Sequence, residues 1–270
     1  MKRIINHLSD NDLYTFSVMY YILQKYPRAE VGYTFFDRNN TRYPKGFDKM
    51  LQEQVNMAAD LVFSDEELKY MQDKIYFLPT WYFIFLKGYR FNPKEVQIFQ
   101  DASGYLSISI QGKWFSTIMW DEYDAEYEWK KAYEKGVKAF RNGLFLADMG
   151  TRRRFSFEHQ KLVLDALVKA YEDCKKDGTA TGKLTGTSNV FFAKEFNLTP
   201  IGTMSHQVIS FEECVSGVFE CNYNMMQKWA DVYKGDLGIY LCDCFGNKAF
   251  FNNFSKDVAK LFDGPRIDSG

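Results

Sequence analysis

No charge of one sign dominates this sequence. It has 34 basic and 35 acidic residues, a formal net charge of -1 over 270 positions. A protein that coats nucleic acid draws its affinity from neutralising phosphates, so that class is excluded and any anion site must be local. The arginine run at 152–154 is not interleaved with the stacking residues that a single-strand groove requires. Cysteine is sparse. Cys174, Cys214, Cys221, Cys242 and Cys244 form an odd set, with no C-x-x-C pair and no secretory apolar region ahead of them, which points to a reduced, cytoplasmic compartment. Two thiols alone, at Cys242 and Cys244, do not make a zinc site, and no residue is assigned to a metal. Long apolar runs are also missing. The stretch near Trp81 to Leu86 is far short of the ~20 residues needed to cross a bilayer, so no membrane span is expected. Internal repeats and low-complexity tracts are absent. So are G-x-G-x-x-G, Walker A, G-x-S-x-G and H-E-x-x-H, which weighs against dinucleotide, P-loop, hydrolase and zincin chemistry.

Aromatic residues, by contrast, are dense. They make up 18% of the chain, with 25 Phe and 18 Tyr, and many must be buried or must line a cavity because water tolerates few exposed rings. At ~150 residues per domain the length gives two domains or one large barrel. Residues 1–120 read as a mixed α+β domain. Ser9-Asp10-Asn11-Asp12 is a polar start signal for a helix through Leu13, Phe16, Tyr20 and Leu23, and Glu30 to Asp37 alternates as a strand. Ser64 with Glu67 forms a capping box, and two alternating runs flank Ala102-Ser103-Gly104 as a hairpin. Residues 121–142 are strongly charged, with Glu126, Lys130, Glu134 and Lys138 on one face, and predict a solvated connecting helix.

From Gly143 to Gly270 a different rhythm sets in, of short apolar strands ending in polar residues at which a helix begins. The stretches are Leu144–Leu146, Lys183–Thr185, Pro200–Thr203, Leu237–Leu241 and Pro265–Ile267. Strands buried on both faces need crossover helices and carry functional residues at their carboxyl ends, so an incomplete irregular α/β barrel of the TIM type is expected over 143–270. At those ends Arg152, Arg153 and Arg154 offer guanidinium groups beside a helix start, either as an anion site or as a solvated run. Gly186-Thr187-Ser188-Asn189 offers hydroxyl donors or simply a capping turn. His206 is one of three histidines, and it lies in a strand-to-helix loop. Asp243 and Asp268 follow two further strands, where carboxylates can hold ribose hydroxyls or a water-bound Mg2+.

At these residues the sequence resembles the nicotinate phosphoribosyltransferases. The matching segments are Asn11-Asp12-Leu13-Tyr14, 150–156 (GTRRRFS), 186–190 (GTSNV), 200–206 (PIGTMSH) and 264–270 (GPRIDSG), in the family's order. The resemblance implies a type II phosphoribosyltransferase: an N-terminal α+β domain, an irregular α/β barrel and a head-to-tail homodimer with shared active sites. Its reaction joins nicotinate to 5-phosphoribosyl 1-pyrophosphate in NAD salvage, giving nicotinate mononucleotide and pyrophosphate, with Mg2+ and coupled ATP hydrolysis. Carried across, Tyr14 stacks on the pyridine ring from the neighbouring subunit, and Met149 stands where relatives often have a ring-stacking Phe. Arg152 touches the pyrophosphate or ring region, Thr187 lies in the substrate loop, and Ser188 faces the nicotinate carboxylate. His206 is phosphorylated by ATP, Asp243 orders the site, and Arg266 and Asp268 bind the ribose and nicotinate side.

A hydroxyl at Ser188 suits an acid substrate, whereas a nicotinamide-using relative is expected to place an acidic acceptor there. Gln207 stands where a Glu is common, which removes a charge that raises imidazole basicity. Family chains continue past Asp-Ser-Gly into glycine-rich phosphate loops and carry an extra segment after Trp120. A truncated chain with an internal deletion is therefore expected, and the alternative reading is a non-catalytic interaction protein on the same fold.

Overall fold

The computed structural model describes residues 3–35, 41–120, 129–154 and 156–268. The chain separates into two compact units. Unit 1 comprises Met1–Asp12 with Arg28–Ile201, and unit 2 comprises Leu13–Pro27 with Gly202–Gly270. The first helix, α1 (Leu13–Lys25), therefore packs with the last quarter of the chain although it lies near the amino terminus.

Unit 1 opens with β1 (Glu30–Thr34), followed by α2 (Phe47–Ala58), α3 (Asp65–Lys74) and α4 (Thr80–Gly88). Strands β2 (Val96–Gln100) and β3 (Leu106–Lys113) complete an antiparallel sheet in the order β1-β3-β2. The strand predicted from Glu30 is described only to Thr34, and its expected end at Asp37 lies outside the described residues. The capping box forms: Ser64 accepts from the Glu67 amide at 3.1 Å, and the Glu67 carboxylate accepts from the Ser64 amide at 2.8 Å. The hairpin turns where expected, because the Asp101 carboxylate takes the amides of Ser103 and Tyr105 while Gly104 supplies a φ of +92°.

After the short helix α5 (Trp114–Thr117), α6 (Trp129–Arg141) covers part of the predicted connecting helix. The beginning of that helix, including Glu126, and the site of the expected internal deletion after Trp120 lie outside the described residues. Helix α6 does more than connect. Ala132, Ala139 and Phe140 are buried, and Phe140 joins Leu167, Ala170, Cys174 and Leu184 in one apolar cluster. Gly136 permits the close approach, since a Cβ there would meet Ala170 Cβ at 3.0 Å.

Strand β4 (Phe145–Asp148), helix α7 (Phe157–Lys176) and strand β5 (Lys183–Thr187) form a β-α-β unit whose strands pair in parallel, with a bulge at Leu146/Ala147. Ser156 caps α7 by accepting from the His159 amide at 3.1 Å, as its position predicts. Helix α8 (Val190–Glu195) follows directly, with Asn189 as its cap. The strand expected at Pro200–Thr203 is reduced to one parallel bridge, Thr187 to Pro200. Proline lacks the amide a longer ladder needs.

In unit 2, α9 (His206–Ser216) packs on α10 (Cys221–Tyr233), which in turn packs on α1. The core there is aromatic: Tyr21 lies 5.5 Å from Trp229 and Tyr20 lies 5.9 Å from Tyr233, ring to ring. The predicted strand Leu237–Leu241 is broken into β6 (Lys234–Leu237) and β7 (Ile239–Leu241), and Leu237 takes a φ of +52° at the break. Helices α11 (Asn247–Asn253) and α12 (Lys256–Ala259) then return the chain to β8 (Gly264–Arg266), which pairs with β7 in parallel. Among the described residues the parallel strands thus form two separate pairs, a mixed α/β architecture, and no helix is long and apolar enough to cross a membrane.

Candidate functional site

Each unit carries one set of the residues singled out above. In unit 1 they gather at the carboxyl ends of β4 and β5, where parallel pairing puts the turn after Asp148 beside the turn after Thr187. The Ser188 amide donates to the Asp148 carbonyl at 2.7 Å, and Thr187 Oγ1 donates to Asp148 Oδ2 at 2.8 Å. Met149 is exposed, as is Arg152 in the short turn Thr151–Arg153. Thr187 and Ser188 are buried, and the Ser188 hydroxyl donates to Asp12 Oδ1.

Arg152 and Arg154 do not act as one patch. Arg154 is 3% exposed and forms a bidentate ion pair with Asp10, whose side chain is fully buried, with Nη2 at 2.7 Å from Oδ2. Its Nη1 also donates to Gln160 Oε1 at 3.1 Å. Asn189 Nδ2 donates to Asp10 Oδ1 at 2.9 Å and to Thr151 Oγ1 at 3.2 Å. The segment read as a helix start signal, residues 9–12, is likewise buried, and it accepts amides from the next turn: Val190 donates to the Asn11 carbonyl and Phe191 to that of Ser9. Burial holds the Asp148 carboxyl above its ordinary value, opposed by hydrogen bonds from Thr187, Gln160 and the Gly150 amide.

In unit 2, His206 occupies the first turn of α9, with Nε2 3.4 Å from Asp243 Oδ1. The imidazole is 42% exposed and Asp243 only 12%. The ring is thus partly exposed, with a largely buried carboxylate beside its Nε2. Arg266, at the end of β8, donates from Nη1 to Thr203 Oγ1 at 2.9 Å and from Nη2 to the Met204 carbonyl at 3.3 Å, and it lies 3.6 Å from Asp268. These bonds tie β8 to the loop that leads into His206. Tyr14, half-buried in the first turn of α1, lies against the same loop, because a Cβ at Gly202 would come within 3.0 Å of the Tyr14 amide nitrogen. Cys242 and Cys244 flank Asp243. Burial, with a smaller contribution from Asp243, pushes the Cys244 thiol up to about 12. It is therefore no nucleophile at neutral pH.

Sequence reasoning did not single out Asp10, Asp12, Asp148 or Gln160 as site residues, and it read Arg154 only as part of a candidate anion site or solvated run and Asn189 only as part of the donor or capping turn, not as partners of Asp10. Asp10 and Asp12 carry a local signal, as two carboxylates directly before an apolar helix. Nothing in the chain near Gln160 distinguishes it from any solvent-facing helix residue.

The chain matches the nicotinate phosphoribosyltransferase (NAPRTase) N-terminal domain over residues 9–123 and the NAPRTase family over residues 144–270. It is 33% identical over 302 aligned residues to the nicotinate phosphoribosyltransferase of Methanosarcina mazei, covering 99% of this chain and 72% of that relative. The chain belongs to the nicotinate phosphoribosyltransferase family. The family protein of Desulforapulum autotrophicum is 35% identical, with 99% of this chain and 71% of the relative covered. Solved NAPRTase structures agree. That from Porphyromonas gingivalis superposes with a TM-score of 0.87 at 32% identity, over 99% of this chain and 71% of the other. The one from Vibrio cholerae gives 0.82 at 26% identity, over 99% and 67%. The chain thus spans about 70% of the length of the NAPRTases it matches.

Proposed function

We propose that this chain acts in NAD salvage as a nicotinate phosphoribosyltransferase, transferring the phosphoribosyl group of 5-phosphoribosyl 1-pyrophosphate to nicotinate. The products are nicotinate mononucleotide and pyrophosphate. The observation that carries this reading is family membership across 99% of the chain. We read residues 1–120, 121–142 and 143–270 as its domain organisation, which the spans of the two family matches support. The β-α-β units with parallel strands support an incomplete α/β barrel, and the reading includes a cytoplasmic homodimer with shared sites.

Leaving of pyrophosphate creates an oxocarbenium-like ribose, so the protein's task is to anchor and orient the reactants more than to supply a strong base. Met149 offers packing surface for the pyridine ring, on which Tyr14 stacks from the neighbouring subunit; Thr187 and Ser188 form the acid-recognising loop, and Arg152 is a cation for pyrophosphate. Arg266 and Asp268 hold the ribose side. His206 receives a phosphoryl group from ATP. Its place in the first turn of α9 supports this role, since helix-terminal N–H groups and the exposed ring face favour an approaching phosphate. Asp243 stands beside the ring, its Oδ1 3.4 Å from Nε2, and marks the side from which the imidazole is held. The described residues contain no cluster of three or more His, Cys, Asp or Glu fit to hold a metal. No step is therefore assigned to Mg2+ on protein ligands.

The test is incubation of the purified chain with nicotinate and 5-phosphoribosyl 1-pyrophosphate, with and without ATP. Nicotinate mononucleotide and pyrophosphate are expected in equal amounts. His206→Ala is expected to abolish the ATP stimulation while leaving a basal rate. A folded chain that yields no mononucleotide under either condition contradicts the reading.

A further inference from the structure

Asp148 belongs to none of the roles assigned above, yet it is the point where the two substrate-carrying turns of unit 1 meet. Its backbone carbonyl takes the Ser188 amide at 2.7 Å. Its Oδ1 takes the Gly150 amide at 3.2 Å, and its Oδ2 takes Gln160 Nε2 and Thr187 Oγ1, both at 2.8 Å. One residue thus fixes both the turn bearing Met149 and Arg152 and the turn bearing Thr187 and Ser188. Gly150 fits the same arrangement, because a Cβ there would lie 2.9 Å from Asp148 Oδ1.

The surroundings demand an acceptor. Arg154 has only donors, so Gln160 must turn its amide oxygen to Arg154 Nη1 and its NH2 toward Asp148. Thr187 Oγ1 accepts the Asn189 amide at 3.2 Å, which leaves its hydrogen for Asp148. A carboxylate can satisfy all three donors at once. A carboxamide of the same size cannot: with its oxygen toward Gly150 it opposes Gln160 with an NH2, and flipped it opposes the Gly150 amide.

We propose that the Asp148 carboxylate is the positioning residue that holds the Met149–Arg152 and Thr187–Ser188 turns in the geometry that binds nicotinate. This rests on the phosphoribosyltransferase reading, and it adds a residue that acts on substrate only through those turns. Loss of the acceptor lets both turns shift, so nicotinate binding suffers at Met149 and at the Thr187–Ser188 loop, while saturating 5-phosphoribosyl 1-pyrophosphate offsets any displacement of Arg152 on the same turn.

The experiment measures steady-state kinetics of the full chain at saturating 5-phosphoribosyl 1-pyrophosphate and ATP, with hydrogen exchange of the same proteins. Asp148→Asn is expected to raise KM for nicotinate by about tenfold or more, with kcat within about threefold of the parent. Its amides in 149–152 and 187–190 should exchange about tenfold faster, with the rest of the chain unchanged. The double variant Asp148→Asn/Gln160→Glu exchanges the polarity of the pair, giving Gln160's place two acceptors, one for Arg154 and one for the new NH2. It should return KM to within about threefold of the parent. Thr187→Val, which removes one donor and keeps the carboxylate, should move KM in the same direction and by less, and it serves if Asp148→Asn does not fold. An unchanged KM in both single variants, or a double variant no better than Asp148→Asn, overturns the proposal and leaves the phosphoribosyltransferase reading intact. A parent chain that makes no mononucleotide defeats that reading instead. The exchange data then decide alone, and unchanged exchange at both turns overturns the positioning role.

Discussion

Removing the Arg154 side chain is the sharpest perturbation available in unit 1. The pair it forms with Asp10 is almost wholly out of water, at 3% and 0% exposure, and is bidentate. In Arg154→Ala the Asp10 carboxylate stays buried with Asn189 as its neutral donor, and Gln160 Oε1 loses a partner. The guanidinium also leaves the Phe157 ring, whose centroid lies 5.8 Å away. Breaking a buried ion pair from one side costs about 3–5 kcal/mol, because the remaining charge keeps its desolvation penalty without compensation. At about 2–4 °C per kcal/mol for a unit of this size, the melting temperature should fall by about 6–20 °C. The companion Arg154→Met/Asp10→Asn removes both charges, keeps an acceptor for Asn189, and should recover most of that loss. Thermal unfolding followed by circular dichroism, with urea titration in parallel, reads both. A single variant within about 1 kcal/mol of the parent, or a double variant as unstable as the single, refutes the reasoning.

Other expectations test separate parts of the structure. Ser64→Ala removes the α3 capping box and should cost about 1 kcal/mol in urea unfolding; no loss would mean the box is replaced by solvent. In unit 2, Lys228→Met takes away the cation 2.7 Å from the buried Glu212 carboxylate and leaves it with the 2.6 Å bond from Tyr26. About 2–3 kcal/mol should be lost, less than for a fully buried pair because Lys228 is partly exposed, and Lys228→Met/Glu212→Gln should restore part of it. Thiol chemistry gives the pH test. Cys244 titrates at about 12, above its ordinary 9.0, so the folded state disfavours its thiolate and only roughly one molecule in ten thousand carries it at pH 8. Disulfide-exchange labelling at pH 8 should therefore modify exposed Cys214 quickly and Cys244 only after denaturation. Fast labelling of Cys244 in the native state would contradict the raised position of its thiol.

What could be read from the residues was local. The Ser64 capping box, the Asp101–Gly104 hairpin and the Ser156 cap each depend on side chains within a few positions of the backbone they bond, and all three form. The β-α rhythm after residue 143 was visible because strands ending in polar residues recur with helix caps. The Thr187 to Pro200 bridge was harder, since a single bridge leaves no alternation to detect. The polar network around Asp148 was out of reach. Its members are drawn from residues 10, 148, 151, 154, 160, 187 and 189, and the bond from Asn189 to Asp10 spans 179 positions. Residues 9–12 show the limit most clearly: four polar residues before a helix look like a solvent-facing cap, yet they are buried and their carbonyls anchor the start of α8. Arg152 and Arg154 diverge for the same reason, as only tertiary structure decides which arginine meets a buried carboxylate.

The most direct test of the account is a competition in which nicotinate and nicotinamide, at equal concentration, are offered to the purified chain with 5-phosphoribosyl 1-pyrophosphate, ATP and Mg2+, and the products are separated by chromatography. The account predicts that the acid mononucleotide accumulates in large excess over the amide. Equal products, a preference for the amide, or no mononucleotide from demonstrably folded protein would contradict it.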